Sequence, residues 1–127
     1  MKFYTYVFVR MDIPRTQQTV QASHACIGAG TNFQNPPNSS IVLLQANDEE
    51  ELLNIKERLD MRGVSSFIFY EPDFGPMGYT AIATGPIDEP GRDMFRKYKL
   101  WSSKPSFVRK IRRLLDGLLD SLEKEGC

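Results

Sequence analysis

The stretch from Thr16 to Asn47 contains no Asp, Glu, Lys or Arg, is rich in Gln, Asn, Ser and Thr, and holds the single histidine, His24. A helix that is polar without charge either packs its amides and hydroxyls into a satisfied network or presents them to a ligand. A single helical histidine such as His24 is more often a packed residue bonded to a carbonyl than a base or a ligand. No second His or Cys stands at ligand spacing, so the sequence predicts neither a metal site nor a cofactor. Gly75-Pro76-Met77-Gly78 lacks the Gly-Lys-Ser/Thr ending of a phosphate-cradling loop and leads into a strand. Charge offers a second chemistry. The chain is neutral overall, yet residues 1–91 hold 6 basic and 11 acidic groups (−5), 92–113 hold 9 and 1 (+8), and 114–127 hold 1 and 4 (−3). A local patch of that sign can engage phosphates, although charge runs also serve as solvated faces.

These groups must be held by one domain, because 127 residues with 41% hydrophobic and 25% charged composition suit a single soluble core. No apolar run approaches the roughly 20 residues of a membrane helix, and the opening residues alternate where a signal peptide would be uniformly apolar. Cys26 and Cys127 are the only cysteines. The expectation is a cytoplasmic protein with free thiols and no membrane partner.

Residues 3–9, mostly aromatic or β-branched, read as a central strand that Pro14 closes. Thr16–Ala29 reads as a helix whose Ala22, Ala25 and Ala29 allow close approach to a sheet, with Gly28 and Gly30 loosening its end. A loop over 31–39 leads to a strand at Ser40–Ala46. Asn47 with Glu50 signals a capping box for a helix over 48–62 that buries Leu52, Ile55 and Leu59 and stops at Gly63. Strands follow at Ser65–Tyr70 and Tyr79–Thr84, then a weaker helix at Asp88–Leu100 and a strong one at Ser106–Glu125. This order predicts a three-layer α/β/α domain: a four-stranded mixed sheet with helices on both faces, plus an extra C-terminal amphipathic helix.

Three motifs fall on these elements in order: Val9-Arg10-Met11-Asp12, Gln21-Ala22-Ser23-His24-Ala25, and Thr80 followed five residues later by Gly85-Pro86. Together they resemble the type-2 peptidyl-tRNA hydrolase family, with its V-R-x-D strand end, Q-x-S-H-A helix and late T-x-x-x-x-G-P strand. The likeness runs over about residues 3–101, so 1–101 is expected to be the family-like domain and 102–127 a helical extension packed on or beside it. The resemblance implies a metal-independent esterase that frees peptide from the 3′ ribose of tRNA, using a lysine on the first helix with an acid and a hydroxyl from the late loop.

Two positions depart from the family. Its lysine falls at Gln17, with Arg15 two residues earlier as the nearest cation, and a guanidinium does not reproduce a lysine's proton transfers. The family's Asp-Ala-Gly loop is shortened to Glu71-Pro72-Asp73-Phe74-Gly75, where either carboxylate can be the acid. The resemblance therefore implies a catalytic set of Arg15, Gln17, His24, Glu71, Asp73 and Thr80, with Asp12, Gln21 and Ser23 binding substrate. Arg96, Lys97, Lys99, Lys104, Arg109, Lys110, Arg112 and Arg113 form a basic patch that would contact tRNA. Gln17 keeps open a non-catalytic relative that binds RNA or a protein partner. The leucine face of the last helix keeps open a homodimer.

Overall fold

The computed structural model describes residues 1–73, 75–102 and 106–125, with side chains at 111, 113–122 in the final stretch. Phe74, Lys104 and Cys127 of the sequence reading lie outside the described residues, as do the side chains of Arg109, Lys110 and Arg112. The elements are β1 (Tyr4–Arg10), α1 (Arg15–Phe33), β2 (Ser40–Ala46), α2 (Glu49–Met61), β3 (Ser66–Glu71), β4 (Gly78–Thr84), a 3-10 helix (Pro90–Phe95) and α3 (Ser106–Glu125). The sheet order is β2-β1-β4-β3, with β1 parallel to β2 and β4 antiparallel to both of its neighbours. The fold is the α/β domain with a four-stranded mixed sheet that the sequence predicts.

Central strands alternate between two buried faces. Val7, Val9, Ala81 and Ala83 point to α1 and meet Ala22, Ala25 and Ala29. Small side chains on both sides bring helix and sheet close together, and Gly28 completes the fit: a Cβ there would lie 2.2 Å from the Phe67 ring. Phe8, Leu44 and Ile82 point the other way, to Leu52, Ile55 and Leu59 of α2. Burying each of these large side chains stabilises the fold by about 1.5–3 kcal/mol.

Three local expectations are corrected. Gly28 and Gly30 do not end α1, which continues to Phe33 and closes where Gln34 (φ 53°) enters the left-handed region and donates its N–H to the Gly30 carbonyl. The cap of α2 is Asp48, whose carboxylate accepts from the Glu51 N–H at 2.8 Å, while Asn47 instead bonds the Glu51 side chain at 2.9 Å. Asp88–Leu100 is not one helix. Pro90 and Gly91 open a single short 3-10 segment, and the chain then extends against β2, with Gln45 N donating to the Lys99 carbonyl at 3.0 Å and Trp101 N to that of Leu43 at 2.8 Å. Aromatic packing holds this segment down: Phe95 stacks on Tyr6 at 4.0 Å and Tyr98 meets Phe8 edge-on at 4.9 Å.

Candidate active site

The glutamines of α1 divide into two sets of partners. Gln18 is structural: its amide donates to the Ile13 carbonyl at 2.9 Å and its oxygen accepts the Trp101 indole N–H at 2.7 Å. Gln21, fully buried one turn further on, connects two strands. Its Oε1 accepts the Thr80 hydroxyl at 2.6 Å, and its Nε2 donates to Glu71 Oε2 at 2.6 Å and to Gln17 Oε1 at 3.3 Å. The Asp73 backbone N–H donates to Glu71 Oε1 at 2.9 Å.

Strand geometry explains why Thr80 reaches α1. Strict alternation from Ala81 and Ala83 would turn residue 80 toward α2. The register between β3 and β4 shifts between Phe69, opposite Ala81, and Tyr70, opposite Tyr79, so Thr80 is the extra residue of a bulge. A bulge re-aims a side chain, and here the hydroxyl turns to Gln21. Glu71 needs no such device, since it continues the Phe67, Phe69 face that already looks at α1.

The start of β4 is held in place by charge. Arg10 forks onto both Asp12 oxygens at 2.9 Å each, while its Nη1 donates to the carbonyls of Met77 and, at 3.1 Å, Tyr79. The Asp12 bond is the main cause that raises the Arg10 pKa above its usual value. Glu49 Oε2 accepts the Tyr79 N–H at 2.8 Å, and a Cβ at Gly78 (φ +74°) would fall 2.0 Å from that oxygen. Arg10, Glu49 and Gly78 are therefore positioning residues. The sequence contained a signal for Arg10 in the V-R-x-D motif, but none for Glu49, which is 29 residues before Gly78.

Glu71 is held as a carboxylate. The Gln21 amide lowers its pKa below the ordinary 4.5, helped by the Asp73 N–H and by attraction to His24, against an opposing push from burial. Each oxygen has one protein donor and keeps a lone pair. Thr80 gives its proton to Gln21 and is left as an acceptor. Gln17 Oε1 is occupied by Gln21, while its NH2 group, on a half-buried side chain, has no acceptor among the described residues. The Gln21 amide thus joins a buried anionic acceptor, Glu71, to the side chain that carries a neutral donor, Gln17; an acceptor and a donor are the two kinds of group that can orient a water and receive negative charge.

The other expected residues stand around or apart from this network. His24 is exposed and lies flat on Phe69, with centroids 4.5 Å apart. With Thr19, Val20, Ser23 and Ile27 it lines an open hollow of about 260 Å³. Ser23 donates to the Thr19 carbonyl at 2.8 Å, and Arg15 is exposed at the first residue of α1. Asp12 is taken up by Arg10. Arg96 is exposed 3.4 Å from Asp93, and Lys97 lies over the Tyr98 ring. Lys97 and Lys99 flank Tyr98, which packs on the α2 face, the side of the sheet away from Gln21. Arg113 is exposed on α3. Among the described residues no group of three or more His, Cys, Asp or Glu is placed to hold a metal ion, and no helix is long and apolar enough to cross a membrane.

Comparison with known proteins adds three findings. A family model described as peptidyl-tRNA hydrolase PTH2 matches residues 3–100. No curated protein matches significantly. A solved structure of a protein of unknown function, Atu0240 from Agrobacterium tumefaciens strain C58, is similar with a TM-score of 0.61 and 12% identity, over 80% of this chain and 99% of that one. At that identity the likeness concerns the fold alone.

Proposed function

Because the chain belongs to the peptidyl-tRNA hydrolase PTH2 family, we propose that it hydrolyses the ester between a peptide and the 3′ ribose of tRNA, in the cytoplasm and without a metal. The observation that carries this reading is the Thr80–Gln21–Glu71 chain, which favours the ionised form of a carboxylate and links it through Gln21 to Gln17. In the reaction, Glu71 accepts a proton from a bound water whose oxygen bonds to the ester carbonyl carbon. The Gln17 NH2 group donates to the oxygen on which negative charge develops. Collapse breaks the bond to the ribose 3′ oxygen, which leaves with the proton held by Glu71. Gln21 and Thr80 orient the carboxylate, Asp73 secures it through its backbone, and His24 favours its ionised form. The +8 segment at 92–113 supplies the tRNA contact through phosphates.

Gln17 favours a second reading, binding of tRNA without turnover. It stands where the resemblance places a lysine, and a neutral amide stabilises an oxyanion less than a cation does. Incubating purified protein with diacetyl-lysyl-tRNA and EDTA decides between them. Release of diacetyl-lysine above the uncatalysed rate supports hydrolysis; retention of tRNA without release supports the binding role.

A further inference from the structure

The apolar side of α3 stands open: Ile111, Leu114, Leu115, Leu118, Leu119 and Leu122 are 50–69% exposed. We propose that this face docks on α3 of a second copy of the chain, antiparallel, forming a two-fold symmetric dimer. The pattern of the helix is what selects that occupant. Around the midpoint between Asp116 and Gly117, Ile111 and Leu122 are equidistant, as are Leu114 and Leu119, and Leu115 and Leu118. Two antiparallel copies centred there set every one of these residues level with another apolar residue. An isologous contact has this self-complementarity.

Charge fixes the orientation. The first half carries Arg109, Lys110, Arg112 and Arg113 with one acid, Asp116, and the second half Asp120, Glu123 and Glu125 with one cation, Lys124. Parallel pairing would stack cations on cations; antiparallel pairing sets each cationic half on an acidic one. The charges also oppose the dipole of an isolated helix, which favours anions at its N-terminus and cations at its C-terminus. An antiparallel partner relieves both ends at once. An anionic membrane suits α3 less well, since it would repel the acidic half.

The test uses the full chain. Sedimentation equilibrium at micromolar concentration should give twice the 14.5 kDa protomer mass. Leu115→Asp with Leu118→Asp should give one protomer mass with an unchanged urea midpoint for the domain. For orientation, Ile111→Cys and Leu122→Cys are made separately on a Cys26→Ala, Cys127→Ser background. Mixed and oxidised, they should form the 111–122 heterodisulfide, and neither should crosslink to itself. A monomeric wild type overturns the proposal, as does a dimer that survives both aspartates. Self-crosslinking at 122 overturns the antiparallel arrangement. A monomer that sediments with phosphatidylglycerol vesicles makes a membrane the occupant and overturns it as well.

Discussion

Replacing Gln21 with Met keeps the side chain's length and most of its volume while deleting both amide groups. The Thr80 hydroxyl, 0% exposed, then loses the acceptor it reaches at 2.6 Å. Stranding a buried hydroxyl costs about 1–3 kcal/mol. With a urea slope of about 1–3 kcal/mol/M, the unfolding midpoint should fall by about 1 M. Thr80→Val removes the group that has been stranded, so the double variant should regain part of the loss, giving a coupling of about 1–2 kcal/mol. The same change acts on Glu71. Its pKa lies below 4.5 chiefly because of the Gln21 bond. A lowered carboxylate pKa contributes stability above its unfolded value, and that contribution disappears as pH falls through the folded value. In the wild type the loss, and the acid limb of activity, therefore fall below pH 4.5. In Gln21→Met both should move up toward that value. Urea titrations of the four proteins of the cycle and a pH–rate profile measure this. Single effects that add within about 0.5 kcal/mol, together with an unmoved acid limb, would refute the network as a working unit.

Three further outcomes follow from the same geometry. Gln17→Lys should replace a neutral donor with a cationic one, worth about 1 kcal/mol more in the transition state, and raise kcat in the release assay roughly five-fold. Changing Arg96, Lys97 and Lys99 to Gln should make the log–log salt dependence of tRNA affinity shallower by about 2 to 3 units, read by filter binding across a salt series. Gly28→Ala should destabilise the domain by about 1–3 kcal/mol in urea unfolding, because its methyl would lie 2.2 Å from the Phe67 ring.

Much of the framework could be read from local pattern. β1 and β2 announce themselves through runs of β-branched and aromatic residues, and α2 through the spacing of Leu52, Ile55 and Leu59. The misread segment, 88–100, is decided by long-range contacts: Tyr6 captures Phe95 and Phe8 captures Tyr98, and no window of neighbouring residues contains those partners. The uncharged, Gln-rich composition of residues 16–47 marks the helix that carries Gln17 and Gln21 as a polar network, but only the resemblance singles out those two glutamines, and only the resemblance points to Glu71 and Thr80. What the sequence does not contain is how they are joined. The bulge that turns Thr80 to α1 is a property of β3–β4 register, and the pin on β4 depends on Glu49, an acid that in sequence is one of a run beginning a helix. Gln18 and Gln21 look alike as letters; only the approach of Trp101 to one and of Glu71 to the other separates an amide that ties down the end of the domain from one that joins two strands.

If Glu71 takes the proton from the water that cleaves peptidyl-tRNA, cleavage depends on its carboxylate. Single-turnover release from diacetyl-lysyl-tRNA, with EDTA present, should be measured for the wild type and for Glu71→Gln, which preserves shape but cannot take a proton. Positioned general-base catalysis contributes about 10²–10⁴-fold, so the variant should be slower by at least about 100-fold while tRNA affinity is retained. Equal rates for the two proteins would show that Glu71 is not the base, and a wild type no faster than uncatalysed hydrolysis would show that the chain is not a peptidyl-tRNA hydrolase.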